Sequence, residues 1–225
     1  DIRFPRAGSD VPTLTVSIVN YRTGPLTVAC LESVLADLGG GADRPAVDAD
    51  VVVVDNASGD GSAELVARWI GERPDAPVRL IRSSVNAGFA GGHNRAIAAS
   101  EADHVLLLNS DAELRPGCIG ALLHAAKTAP WAGLVAPRLE DPDGTVQTST
   151  FRFPSAASEV IRGAMSGPVT RLLKAWDVPL GPAPEPRRID WASFACVLLR
   201  RRMIERIGPL DDGYFLYFGD AEYCH

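Results

Sequence analysis

The chain has 225 residues, 46% hydrophobic and 22% charged, with a formal net charge of −6 and a pI near 5.2. That length can bury a sizeable core, and the composition is ordinary for a globular protein. The acidic balance carries no basic footprint for nucleic acid, so any phosphate ligand must be met by backbone N–H groups, local arginines or a metal.

No apolar run approaches the ~18 residues of a transmembrane helix, and no signal peptide is visible. Cys30, Cys118, Cys196 and Cys224 lie far apart without a C-x-x-C pair. That favours buried, reduced thiols over a staple or a metal site. A cytoplasmic location is the expectation. The chain stops at His225 without an obvious final element, which points to a C-terminally trimmed piece of a longer protein.

In chain order, residues 1–13 are polar, hold Pro5 and Pro12, and read as a loose lead-in to one domain over 14–225. Thr15 to Asn20 is a first strand. Pro25 opens a helix with Leu26, Cys30, Val34 and Leu38 as its apolar face, ended by Gly39-Gly40-Gly41. Asp50 to Asp55 is a second strand, and Ser62 to Ile70 a helix facing inward through Leu65, Val66, Trp69 and Ile70. A third strand runs from Val78 to Arg82. His93 to Ala99 starts a helix, and His104 to Asn109 is a fourth strand. Pro116 to Ala129 is a helix packed through Ile119, Leu122, Leu123 and Ala126. Strands alternating with helices imply βαβ units and a mostly parallel sheet.

After Gly133 the pattern changes. Leu134 to Pro137 is a short strand, Asp141-Pro142-Asp143-Gly144 a turn, and Thr145 to Phe153 alternates as a strand does. Residues 154–188 are rich in proline and read as irregular. Ile189 to Arg200 returns to strand, and Arg202 to Ile207 is a short helix closed by Gly208-Pro209. The tail from Tyr214 is aromatic and then acidic.

Three polar turns follow or separate the buried runs, and in open α/β sheets ligands sit at the carboxyl ends of such strands. Asn109-Ser110-Asp111 offers Asp111 as an oxygen ligand for a hard cation and Asn109 as a carbonyl; the competing role is a helix cap. Asp55 could accept hydrogen bonds from a base or ribose, or could serve its own turn with Ser58. The stretch Asn86 to Asn94 is neither a P-loop nor G-x-G-x-x-G. Its glycines allow close backbone approach to a ligand, or simply a flexible loop. His93 has no partner at metal-ligand spacing and reads as a loop or helix-start residue. Asp220 and Glu222 follow an aromatic run. A carboxylate in such a setting can serve as a general base; a solvated helix start is the alternative.

Together these blocks resemble bacterial family 2 glycosyltransferases, in particular their rhamnosyltransferase-like branch. The resemblance runs from Val16 to Cys224. Val16-Ser17-Ile18-Val19-Asn20-Tyr21 is similar to the opening strand and nucleotide contact. Val53 to Ser62, with Asp55 and Asn56, is similar to the base-binding block. Asn86-Ala87-Gly88-Phe89-Ala90-Gly91-Gly92-His93-Asn94 resembles the glycine loop with its closing Asn, and Asn109-Ser110-Asp111 the Asp-x-Asp-type metal motif. Asp190 to Cys196, which includes Trp191, resembles an acceptor-side stretch, with Phe194 where Gly is usual. Tyr217 to Cys224 resembles the block that supplies the catalytic base. There Gly219 replaces a Glu, Glu222 stands where Asp is common, and Asp220 is retained.

The resemblance implies a GT-A fold, a Rossmann-like α/β/α sandwich, with a nucleotide-binding half at 14–112 and an acceptor-side half at 113–225. It implies Mg²⁺ or Mn²⁺ on Asp111 and donor contacts from Asn20, Tyr21, Asp55, Asn56, Asn86, Gly88, Gly91, Asn94, Asn109 and Ser110. It also implies Asp220 as base, with Trp191 and Glu222 on the acceptor side. The implied reaction is inverting transfer from a nucleotide-diphosphate sugar, dTDP-L-rhamnose or a UDP-sugar, to a glycan or polyprenol-linked acceptor. Family members continue beyond this point with helices that meet membrane or acceptor, so peripheral contact with the inner face of the plasma membrane is expected of such a continuation. A non-catalytic nucleotide-sugar binder and a dinucleotide oxidoreductase are the alternatives, and the missing G-x-G-x-x-G argues against the second.

Overall fold

The computed structural model describes residues 11–39, 47–155, 178–180, 189–216 and 219–225. The expectations for residues 1–10, for Gly40-Gly41, for most of 154–188 and for Tyr217-Phe218 lie outside them. The chain divides into two compact units, Asp1–Pro137 with Phe194–Gly219, and Arg138–Ser193 with Asp220–His225. The functional division expected at 112–113 is a different line and falls inside the first unit.

The described elements are β1 Thr13–Asn20, α1 Gly24–Leu38, β2 Asp48–Asp55, α2 Ser62–Gly71, β3 Val78–Arg82, α3 Gly88–Ala98, β4 His104–Asn109, α4 Cys118–Thr128, β5 Leu134–Val135, β6 Thr150–Phe151, β7 Trp191–Ala192, β8 Cys196–Arg200, α5 Arg201–Ile207 and α6 Gly219–Tyr223. In the first unit β3-β2-β1-β4-β8-β5 form one sheet. β1 to β4 are parallel, and β8 runs antiparallel to both β4 and β5. The sheet is therefore mostly parallel, as the strand–helix alternation predicts.

Ile18 pairs with Val53 and Leu108, and Val16 with Val51 and Leu106, all fully buried. Paired residues share a face, so these side chains make one continuous apolar layer. Both faces are covered. Asn20 and Thr27 join β1 to α1 on one side, and Ser17 and His93 join β1 to α3 on the other. That double coverage explains why β2 and β4 read as unbroken aliphatic runs.

Several expectations need correction. The buried face of α1 is Thr27, Cys30, Leu31, Val34 and Asp37, while Leu26 is exposed. Asp37 can be buried because its carboxylate accepts the amides of Gly117 and Ile119 at the start of α4. On α2 the buried residues are Ser62, Ala63, Val66 and Trp69, with Leu65 and Ile70 only half-buried. The run Ile189 to Arg200 is two strands. β7 pairs with β6 in the second unit, and β8 with β4 and β5 in the first. The strand expected over Thr145 to Phe153 shrinks to Thr150–Phe151, plus an isolated bridge between Glu140 and Val146. That over Leu134 to Pro137 shrinks to Leu134–Val135. Alternation alone cannot supply a partner strand, and ladder length is set by the partner.

Candidate active site

The parallel register brings Asn20 beside Asp55, and Val19 beside Asn109, so three polar strand ends stand in one row. Asn20 organises the row. Its Nδ2 donates to Asp55 Oδ1 at 2.7 Å and to Ser58 Oγ at 3.1 Å. Its Oδ1 accepts from Thr23 N, Thr23 Oγ1 and Thr27 Oγ1 at 3.2, 3.0 and 3.0 Å. Thr23 Oγ1 also lies 2.9 Å from Ser110 Oγ, which ties the β4 turn to the start of α1. The side chain of Asn20 is fully engaged within the protein, as a buried amide must be.

Asp55 is buried and takes part in its own turn. Oδ1 accepts from Ser58 Oγ at 2.6 Å as well as from Asn20, and Oδ2 accepts from Ser58 N at 3.2 Å. The turn role and an open acceptor position on Oδ2 therefore coexist. Two residues here were missed as site members. Arg22 adopts φ +59, uncommon for a residue with a side chain. Its N and Nε bond to Ser58 Oγ and Ser58 O at 3.0 and 3.2 Å, and its guanidinium lies 5.2 Å from the ring of Tyr21. Thr23 is the other. A positive φ leaves no mark in sequence when the residue is not Gly or Asn.

The glycine stretch is helical from Gly88 onward, not a loop. Its small residues admit protein. A Cβ on Gly92 would lie 2.7 Å from Val19 Cγ2, one on Gly91 2.6 Å from the Ala87 Cβ, and one on Gly88 2.1 Å from Phe215 O. Gly88 also has φ +69. Asn56 clamps the turn before the helix: its Nδ2 donates to Asn86 Oδ1 at 2.9 Å and to Gly88 O at 2.8 Å, and its Oδ1 accepts from Ala87 N at 3.2 Å. Asn94 bonds the backbone of Leu210 in both directions, at 2.7 and 3.0 Å. His93, expected in a loop or at a helix start, is buried inside α3. Its Nδ1 shares a 2.7 Å bond with Ser17 Oγ, and its Nε2 has no partner among the described residues. Burial lowers its pKa to about 3.

At the end of β4, Asn109 is half-buried, Ser110 buried and Asp111 exposed. Asp111 makes no hydrogen bond or ion pair among the described residues. The Cys30 thiol behind it is pushed up to about 12 by burial and then by the charges of Asp111 and Glu113. No three His, Cys, Asp or Glu side chains converge among the described residues. Among the described residues the end of β4 offers a hard cation the free carboxylate of Asp111, a donor of the kind Mg²⁺ or Mn²⁺ takes together with phosphate oxygens and water.

In the second unit, Trp191 stacks on Phe151 with ring centroids 4.2 Å apart, and its Nε1 donates to Arg152 O at 3.2 Å. Asp220 is half-buried on α6, with Oδ1 accepting Ala221 N at 2.9 Å, while Glu222 is exposed. Trp191, Asp220 and Glu222 all belong to the second unit. No helix of the described residues is long and apolar enough to cross a membrane.

This sheet, with helices on both faces and a polar row at its carboxyl ends, has the architecture of the GT-A glycosyltransferases. Residues 15–208 match the model of glycosyl transferase family 2, and the chain belongs to that family. It is 34% identical over 226 residues to the N-acetylglucosaminyl-diphospho-decaprenol L-rhamnosyltransferase of Mycobacterium tuberculosis, across 93% of this chain and 68% of that protein. Among solved structures, the mannosyltransferase PcManGT from Pyrobaculum calidifontis, in complex with GDP-Man and Mn²⁺, aligns with a TM-score of 0.63 at 19% identity. That alignment covers 97% of this chain and 54% of that one. S. aureus TarS 1-349 in complex with UDP aligns at 0.58 and 16% identity, over 94% of this chain and 54% of that one. The chain spans about half the length of these solved structures, which speak for the fold alone.

Proposed function

We propose that the chain transfers L-rhamnose from dTDP-L-rhamnose to a hydroxyl of a polyprenol-linked or glycan acceptor of the cell envelope, inverting the anomeric carbon. The observation that carries this reading is the row of Asn20, Asp55 and Asn109, with the free carboxylate of Asp111 two residues beyond Asn109. The name of the mycobacterial relative supports the donor sugar and the acceptor class.

Each chemical need has a candidate. Asp55, fixed by Asn20 and Ser58, keeps an acceptor position on Oδ2 for the imide N–H of thymine or uracil. Guanine presents a carbonyl and an N–H in a different arrangement. The terminal nitrogens of Arg22 make no hydrogen bond among the described residues and are suited to a diphosphate oxygen. Asn56, Asn86, Gly88, Gly91 and Asn94 act by shaping the wall beside the nucleotide, and Tyr21 by lying beside Arg22. Asp111, with Asn109 and Ser110 next to it, would hold Mg²⁺ or Mn²⁺, which supplies positive charge for the departing diphosphate. Asp220 takes the proton from the acceptor hydroxyl as its oxygen bonds to the sugar and the nucleoside diphosphate leaves. Trp191 and Glu222 belong to the acceptor side.

Thermal-shift measurements with dTDP-rhamnose, a UDP-sugar and a GDP-sugar, each with and without Mn²⁺, test the donor. The dTDP-sugar should give the largest Mn²⁺-dependent rise, and the GDP-sugar the smallest. Transfer to a polyprenyl-diphosphate-linked N-acetylglucosamine should follow. Equal shifts for all three donors, or transfer of another sugar in preference, would overturn the reading.

A further inference from the structure

Helix α1 lays a row of polar side chains along the loop that carries Asp111. The turn at the end of β4 is closed by the Ala112 amide, which donates to Asn109 O at 3.2 Å, so Ser110 and Asp111 stand at its corner. Residues 112–115 follow without regular secondary structure. Where a ladder is missing, α1 supplies the partners. Thr23 Oγ1, at its cap, lies 2.9 Å from Ser110 Oγ. Cys30 donates its S–H to Asn109 O at 3.5 Å. Ser33 Oγ accepts the Leu114 amide at 2.9 Å. The Asp37 carboxylate accepts the amides of Gly117 and Ile119. Thr23, Cys30, Ser33 and Asp37 fall on one stripe of a helix with about 3.6 residues per turn. The loop is therefore held along α1 from the β4 turn to the first residues of α4.

Ser33 is the middle rung of that row. Its hydroxyl donates to Cys30 O at 2.7 Å, which leaves its lone pairs for the Leu114 N–H. Asp111 is thus bracketed by the Asn109 carbonyl before it and the Leu114–Ser33 bond after it, while its own carboxylate stays exposed. We propose that Ser33 is a positioning residue for the divalent cation: it fixes the loop that presents Asp111 and touches neither cation nor donor. This rests on the reading of Asp111 as the cation's carboxylate. A loop ordered in advance does not have to be ordered when the cation binds; without the Ser33 bond that cost falls on the binding step.

The test measures dTDP binding by calorimetry, with and without Mn²⁺, for wild type, Ser33→Ala and Ser33→Thr, together with amide exchange in the cation-free proteins. In Ser33→Ala the Leu114 amide should exchange faster. The Mn²⁺ enhancement of dTDP affinity should fall about three- to tenfold, the worth of one net hydrogen bond. The affinity for dTDP alone should stay at that of wild type. Ser33→Thr should restore both readouts, because a helical threonine hydroxyl can also bond the carbonyl one turn back. A merely structural role would lower the melting temperature of Ser33→Ala and leave the Mn²⁺ enhancement whole. That result would overturn this proposal alone, as would unchanged exchange at Leu114 or an equal loss of dTDP affinity with and without Mn²⁺. A wild type without Mn²⁺ enhancement would overturn the reading of Asp111 itself, and this proposal with it.

Discussion

The side-chain amide of Asn20 donates to Asp55 Oδ1 at 2.7 Å, joining the ends of two parallel strands inside the protein. The same residue accepts three bonds from Thr23 and Thr27 at the start of α1. One amide therefore sets both the carboxylate offered at the end of β2 and the entry angle of the first helix.

Asn20→Ala should lower stability by about 2–3 kcal/mol, because a buried carboxylate and the hydroxyls of Ser58, Thr23 and Thr27 lose a partner at once. Asn20→Asp should be worse, since it sets a second carboxylate against Asp55. Urea unfolding of both variants checks this. A loss below about 0.5 kcal/mol in Asn20→Ala would mean that Asp55 finds its charge partners elsewhere.

Gly92 and Gly219 make opposite predictions. A Cβ on Gly92 would sit 2.7 and 2.8 Å from the two methyls of Val19, so Gly92→Ala should cost about 1–3 kcal/mol. Among the described residues a Cβ on Gly219 would meet the Tyr214 Cβ at 3.7 Å, an ordinary contact. Gly219→Ala should therefore change the melting temperature little. Equal melting temperatures for the two variants would contradict the packing of α3 on β1.

Burial holds the pKa of His93 at about 3, against 6.5 for an ordinary imidazole. The unfolded chain thus binds one more proton than the folded chain between those values. The contribution of His93 is present above pH 6.5 and is lost progressively as pH falls toward 3. The slope is about 1.4 kcal/mol per pH unit. Between pH 7 and pH 5 wild type should lose about 2 kcal/mol more than His93→Gln. Parallel stability curves for the two proteins would show that the imidazole is solvated in the folded state.

Much of this was legible beforehand where the cause is local. The aliphatic runs ending at Asn20, Asp55 and Asn109 mark buried strands, and the bounds of β3 and β4 agree to the residue. The apolar face of α4 was legible for the same reason. What escaped depends on distant partners. Asn56 clamps the turn at Asn86 and Gly88, across a whole helix and strand, without any spacing signal. The glycines of α3 look like loop residues in isolation, since their reason is the wall made by Val19 and Phe215. The run through Trp191 and Cys196 reads as one strand because hydrophobicity does not reveal that its halves pair with different sheets.

Asp220→Asn keeps the shape of the proposed base but cannot take a proton at neutral pH. Sugar transfer should fall by ~10²–10⁴-fold with donor affinity unchanged. Glu222→Gln, exposed on the same short helix, should retain most of its rate. Transfer lost only in the Glu222 variant would reassign the base.

Calorimetric binding of dTDP to wild type and to Asp111→Asn, each with and without Mn²⁺, probes most directly whether the β4 turn forms a donor site. Wild type should bind dTDP at least tenfold more tightly with Mn²⁺ than without it. Asp111→Asn should keep the melting temperature of wild type, because this carboxylate is exposed and makes no hydrogen bond or ion pair among the described residues. In that variant the Mn²⁺ enhancement should disappear. An undiminished enhancement in Asp111→Asn would contradict a donor site built on the end of β4.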